Sequence, residues 1–176
     1  MMKFCETRIS GVFEICLELR PDERGFFARS WCQKEFADHG LNSKLVQCNI
    51  SRNTRKGTLR GMHFQEAPFS ETKIVRCTRG SVYDVVIDLR PDSKTFKNWI
   101  AVTLTEKAGN SMYIPDGCAH GFLTLTDGAD VFYQMSEFYK PEAARGVRWN
   151  DSAFGIHWPA EVKVISDRDR TYSDFS

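Results

Sequence analysis

The runs Arg60-Gly61-Met62-His63-Phe64-Gln65 and Gly109-Asn110-Ser111-Met112-Tyr113-Ile114-Pro115-Asp116-Gly117-Cys118-Ala119-His120 decide how this chain folds. Each carries a histidine on an apolar stretch that reads as a strand. On a strand, Met62 and Phe64 face away from His63. Arg60 lies three positions back, so a regular strand puts it on the face opposite His63. Gly61 lies between them and supplies the place for a bulge that turns both inward. The simpler reading of His63 is a half-buried histidine hydrogen-bonded in a barrel wall.

Outward from these runs, short apolar and β-branched segments alternate with polar turns. Strands are expected at Val12 to Leu19, Gly25 to Trp31, Lys44 to Ile50, Thr58 to Phe64 and Lys73 to Cys77. The series continues at Ser81 to Leu89, Asn98 to Leu104, Ser111 to Ile114, Gly121 to Leu125 and Val131 to Met135. Arg20 to Glu23 reads as a turn. Gln33 to Asp38 is the best helix, with Gly40 placed to end it. Beyond Trp158-Pro159 the chain reads as polar. Many strands and one helix argue for an all-β sandwich or barrel. Periodicity does not separate a jelly roll from other sandwiches. The two histidine runs do: their spacing resembles the paired motifs of the cupin jelly roll. A metal-binding cupin carries a second histidine two residues after the first, and here that position is Gln65.

The 176 residues suffice for one domain with a sizeable core, and a single domain over 1–176 is expected. A net charge of +1 does not suggest a nucleic-acid binder. No apolar run approaches the ~20 residues of a membrane span. The six cysteines form no C-x-x-C pair and no signal segment opens the chain. Reduced, mostly buried thiols in a cytoplasmic protein are therefore expected.

A metal site wants three or four ligands. The candidates are His63, Gln65, Glu71 and His120, and an amide oxygen substitutes poorly for imidazole. No metal and no cofactor are expected. Lys73 opens an apolar strand; it is either a solvated strand end or, aimed into a barrel mouth, a stabiliser of an oxyanion. Tyr133 is either a packed aromatic with its hydroxyl at the rim or a proton donor. Arg24-Gly25-Phe26-Phe27 joins a cation to two aromatics, either as a solvated turn or as a phosphate and base clamp with Arg60 as its other half.

Taken together, Asp22-Glu23-Arg24-Gly25-Phe26-Phe27, Leu59 to Gln65, Lys73-Ile74-Val75-Arg76-Cys77 and Ile114 to Phe122 resemble the dTDP-4-dehydrorhamnose 3,5-epimerase family. Tyr139 to Glu142, Gly146 to Asp151 and Gly155 to Pro159 extend the resemblance over nearly the whole chain. It implies a cupin-type jelly roll that works without metal, as a homodimer, in deoxysugar biosynthesis of the rhamnose type. The implied reaction inverts C3, C5 or both in a nucleoside-diphosphate 4-keto-6-deoxyhexose. Hydrogens beside the ketone are mildly acidic, so a base, an opposed acid and a cation at the carbonyl oxygen are needed.

The resemblance assigns His63 as base and Asp169 as the carboxylate that orients it. Asp169 is preferred to Asp167 because it ends the Ser166-x-x-Asp169 match. Tyr133 is implied as the acid and Lys73 as the enolate stabiliser. Arg24 and Arg60 match diphosphate contacts. Gln47, Asn49, His120 and Tyr139 match positions lining the sugar and phosphate site, while Phe27, read from its own run, is the aromatic expected to stack on the base. Two stretches depart from the family. The common Gln-Asp-Asn reads Gln47-Cys48-Asn49. An acidic residue near the nucleobase is replaced by Ala28-Arg29-Ser30-Trp31. Cytosine N3 accepts and a guanidinium donates. Arg29 thus raises a CDP-linked substrate as an alternative to dTDP, beside the readings that it binds phosphate or faces solvent. A metal cupin and a non-catalytic sugar-binding cupin are the other classes left open.

Overall fold

The protein is described here, over residues 1–175, by a computed structural model. In chain order its elements are β1 (Met2–Glu6), β2 (Phe13–Leu17), β3 (Arg20–Asp22), β4 (Gly25–Phe27), α1 (Gln33–Asp38), β5 (Gln47–Asn53), β6 (Thr58–Gln65) and β7 (Lys73–Arg79). Then come β8 (Ser81–Asp88), β9 (Trp99–Thr105), β10 (Ser111–Ile114), β11 (Cys118–Thr124), β12 (Ala129–Met135), β13 (Ala144–Gly146), β14 (Val164–Ile165) and α2 (Asp167–Arg170).

One sheet runs β1-β2-β10-β7-β12-β5 and the other β13-β6-β11-β8-β9. Strand β14 adds to β6 in parallel, and β3 pairs only with β4. Inward residues of both sheets share one apolar cluster: Val75, Cys77 and Val131 from the first, Val82, Val86 and Phe122 from the second. Phe122 is fully buried; burial of such a side chain contributes roughly 1.5–3 kcal/mol. The outer face of the first sheet is covered by α1 through Phe36, against Met2, Ile15, Ile74 and Tyr113. The outer face of the second carries Met62, Val85, Ile87 and Ala119 beneath Val147 and Phe154. That C-terminal cover leads the chain back over β6 and positions α2 beside it.

Helix α1 falls where the sequence places it. The Gly40 amide caps it by donating to Ala37 O at 2.9 Å, with Gly40 at φ +69°. Other expectations need correction. The strand expected at Gly25 to Trp31 stops at Phe27, and Arg20–Asp22 is a strand rather than a turn. The turn is made by Glu23 and Arg24, with Asp22 Oδ1 accepting the Arg24 amide at 2.8 Å. Strands β1, β13 and β14 and helix α2 were not anticipated. The expected polar tail after Pro159 instead supplies β14, α2 and the packed Phe175. The cysteines are not mostly buried: Cys77 and Cys118 are, Cys5, Cys16 and Cys32 are half-buried, and Cys48 is exposed. Burial pushes the Cys118 thiol up to about 12 and Cys77 up to about 11, which leaves both unreactive. Among the described residues no helix is long and apolar enough to cross a membrane.

Candidate active site

The site is built around an irregularity in β6. His63 pairs with His120 across β11, and Arg60 pairs with Phe122. Two residues of β6, Gly61 and Met62, thus lie opposite the single Gly121 of β11, which is a bulge. His120 and Phe122 point inward together, so Arg60 and His63 do as well. Glycine permits this. Gly61 has φ +146°, and a Cβ there would sit 2.5 Å from Gly121 Cα. Gly121 is equally tight, its Cβ position lying 2.6 Å from Met62 Sδ. Met62 and Phe64 face the outer cluster, as the alternation predicts.

The inward face opens on a cavity of about 310 Å³ between the sheets. From the second sheet it is lined by Arg60, His63 and His120, and from the first by Gln47, Asn49, Lys73 and Tyr133. Tyr139 and Arg168 close its rim. Four cationic side chains (Arg60, Lys73, Arg145 and Arg168) line it against one carboxylate, Glu71. Such a balance favours an anionic ligand.

His63 Nε2 lies 2.7 Å from Asp169 Oδ1, and Asp169 Oδ2 accepts the Gly61 amide at 3.2 Å. Burial alone would raise the Asp169 carboxyl. The bonds from His63, Gly61 and Ser166 outweigh burial and hold it below the ordinary carboxylate value. Asp169 is placed by the start of α2, where Ser166 Oγ accepts the Asp169 amide at 3.1 Å. A serine cap of this kind contributes about 1 kcal/mol. Asp167 is exposed. The pairing leaves Nδ1 as the ring nitrogen of His63 without that carboxylate. Lys73 Nζ pairs with Glu71 Oε1 at 2.9 Å and donates to His63 O at 3.1 Å, so one of its three N–H groups remains for a ligand. Burial, then the Asp84 charge, raises the Tyr133 phenol, which keeps it protonated at neutral pH. Arg60 Nε donates to Asn53 Oδ1 at 2.8 Å, and the Tyr139 amide donates to Gln47 Oε1 at 3.3 Å.

The four metal-ligand candidates have other partners. Gln65 Nε2 donates to Phe69 O and Phe138 O, and its Oε1 accepts the Lys140 amide at 2.7 Å. Glu71 is on Lys73, His63 on Asp169 and His120 on Asp84. Among the described residues no three His, Cys, Asp or Glu side chains are grouped to hold a metal ion.

Arg24, Phe27 and Arg29 are not brought to this cavity within the chain. Arg24 pairs with Asp22 at 2.6 Å and is largely exposed. Phe27 and Arg29 line a separate hollow with Met1, Glu18, Arg20 and Trp31. Arg29 pairs with Glu35 of α1 at 2.7 Å and remains about half exposed. The clamp of Arg24 with Arg60 is thus not assembled in one chain. The structure adds Arg145 and Arg168 at the cavity and Asp84 behind His120, none of which the sequence singles out, and it turns Glu71, a metal-ligand candidate in the sequence, into the partner of Lys73. Arg168 lies one residue before Asp169, and only the unanticipated helix α2 signals its direction.

Compared with known proteins, the chain matches the family model described as dTDP-4-dehydrorhamnose 3,5-epimerase over residues 6–176. The chain belongs to the dTDP-4-dehydrorhamnose 3,5-epimerase family. Its fold is the cupin-type jelly roll of that family. A dTDP-4-dehydrorhamnose 3,5-epimerase of Shigella flexneri is 40% identical over 169 residues, covering 96% of this chain and 93% of its own. The crystal structure of the Bacillus anthracis dTDP-4-dehydrorhamnose 3,5-epimerase, with TDP and PPi bound, superposes with a TM-score of 0.96 at 37% identity, covering 99% of this chain and all of its own. A Legionella pneumophila epimerase in complex with dTDP-4-keto-L-rhamnose superposes with a TM-score of 0.90 at 35% identity, covering 96% of this chain and 90% of its own.

Proposed function

We propose that this chain is an isomerase that inverts C3 and C5 of a dTDP-linked 4-keto-6-deoxyhexose, without a cofactor, through an enolate. The observation that carries this reading is the His63–Asp169 pair facing the same cavity as Tyr133 and Lys73. His63 Nδ1 takes the proton beside the ketone. The C–H electron pair becomes the enolate double bond, and the carbonyl pair moves to the oxygen. Asp169 accepts Nε2–H and stabilises the imidazolium, while Lys73 stabilises the oxyanion. As the carbonyl re-forms, Tyr133 OH gives a proton to the opposite face of the carbon, inverting the centre. His63 then releases the abstracted proton to solvent and the Tyr133 phenolate takes one up, which resets the pair. Acid–base catalysis of this type supplies roughly 10²–10⁴-fold in rate. Arg60 and Arg168 hold the diphosphate, and Gln47, Asn49, His120 and Tyr139 the sugar and its phosphates.

A homodimer completes the account. The resemblance groups Arg24 and Phe27 with the nucleotide, yet in one chain they stand apart from the cavity on an exposed hairpin. Phe26 is 57% and Phe27 71% exposed, a surface that a second copy would use. Free cysteines fit the reducing cytoplasm.

The reading is tested by offering dTDP- and CDP-4-keto-6-deoxyglucose in parallel and identifying the products by NMR. Preference for dTDP with both centres inverted supports it. Preference for CDP, or inversion at one carbon, replaces it with the specialised epimerase that Arg29 first suggested. The pairing with Glu35 occupies Nη1 of Arg29 and leaves its other N–H donors to a base, so the measured preference decides between the two.

A further inference from the structure

His120 stands beside His63 but has a different carboxylate behind it. The two histidines are register partners on β11 and β6, so their side chains rise from neighbouring places on one face. His63 Nε2 turns to Asp169, and His120 Nε2 turns to Asp84 Oδ1 at 2.7 Å. Both members of the second pair are buried. Asp84 lies on β8 between Val82 and Val86, which point into the same apolar core. A carboxyl group in the middle of that row costs stability, and its Oδ2 has no hydrogen-bond partner. Packing alone would be served by a third valine.

Burial raises the Asp84 carboxyl, and His120 and Lys73 offset this only in part. Burial therefore favours a pair that carries two protons and no net charge. One proton lies between Asp84 and Nε2. The other sits on Nδ1, the ring nitrogen that Asp84 leaves free in a side chain lining the cavity. This holds whether the shared proton rests on oxygen or on nitrogen. The His120 ring also meets Tyr133 edge to face, with centroids 6.0 Å apart.

We propose that Asp84 is a positioning residue that keeps His120 as a hydrogen-bond donor through Nδ1, beside Lys73, to the sugar oxygen that becomes the enolate oxyanion. The proposal rests on the epimerase reading above. It assigns the buried carboxylate of β8 to transition-state stabilisation rather than to packing.

The test uses Asp84→Val, Asp84→Asn, His120→Gln and the Asp84→Val/His120→Gln double variant of the full chain. Asp84→Val continues the apolar row but leaves the buried His120 Nε2 without a partner, so its thermal stability is expected to fall and is measured beside kcat. Its kcat falls tenfold or more while KM stays within about threefold. Asp84→Asn, whose amide still donates to Nε2, recovers most of that loss. The double variant is no slower than the slower single variant, because both changes remove one device. Ring ¹⁵N spectra of His120 without ligand place the proton on Nδ1 in the parent and redistribute it in Asp84→Val. The proposal is overturned by an Asp84→Val kcat within twofold of the parent, by losses that multiply in the double variant, or by unchanged ring spectra. Should Asp84→Val not fold, loss of the proton from His120 Nδ1 in Asp84→Asn overturns it instead. If the parent inverts no sugar, the epimerase reading falls, and the ring spectra alone decide whether Asp84 sets the ring.

Discussion

Asp169 serves two donors at once, His63 Nε2 and the Gly61 amide, and so ties the base to the bulge that presents it. Asp169→Asn keeps the shape but loses the charge that stabilises the imidazolium. Turnover is expected to fall by about 10²-fold or more, measured as kcat across pH. The same residue sets a pH dependence of stability. Its carboxyl is held below the ordinary value, so it stays ionised to lower pH in the folded chain than in the unfolded one. Its contribution is therefore full above the unfolded value of about 3.9 and is lost as pH falls through the folded value. Denaturant midpoints followed down from pH 5 should fall more steeply for the parent than for Asp169→Asn. Tyr133 separates two steps. In Tyr133→Phe the base still removes the proton, but the opposite face has no donor. Deuterium should then wash into the sugar faster than inverted product appears; equal losses of both would remove Tyr133 from the acid's role.

At the scale of elements, the site depends on the close approach of β6 and β11. Gly61→Ala places a side chain at φ +146° and 2.5 Å from the Gly121 backbone. Strain of this kind costs roughly 1–3 kcal/mol, and it should also turn Arg60 or His63 out of the cavity. Thermal unfolding and turnover should therefore fall together, whereas a turnover near the parent's would show that the bulge is dispensable. The bulge was legible because Gly61 sits between two residues that both have reason to face inward. Helix α1 was legible from Gln33 to Asp38 and the glycine beyond it. Helix α2 was not: four charged residues carry no apolar stripe, and the Ser166 cap together with docking against β6 holds them helical. Arg168 was missed with it. Asp84 was hidden inside an apolar strand, where nothing in the sequence tells a buried carboxylate from an edge residue. The pairing of Arg29 with Glu35 was not legible, because Glu35 stands on a helix whose orientation the sequence does not give.

At the scale of the whole molecule, one chain brings His63, Tyr133, Arg60 and Arg168, the proposed base, acid and diphosphate cations, to one cavity, while Arg24 and Phe27 remain on an exposed hairpin. A dimer in which each hairpin reaches the other copy's cavity would unite them. Mixing inactive His63→Ala with inactive Arg24→Ala/Phe27→Ala, unfolded and refolded together, should restore about a quarter of parental activity, the statistical share expected of a two-fold dimer with shared sites. No recovery would confine each site to one chain. In the proposed reaction everything turns on His63 removing the protons that flank the ketone. The measurement that tests it most directly is proton NMR of dTDP-4-keto-6-deoxyglucose in deuterated water with the parent and with His63→Ala. The account predicts loss of both the C3 and C5 proton signals with the parent and their persistence with His63→Ala. Equal exchange with both proteins, or none with the parent, would contradict it.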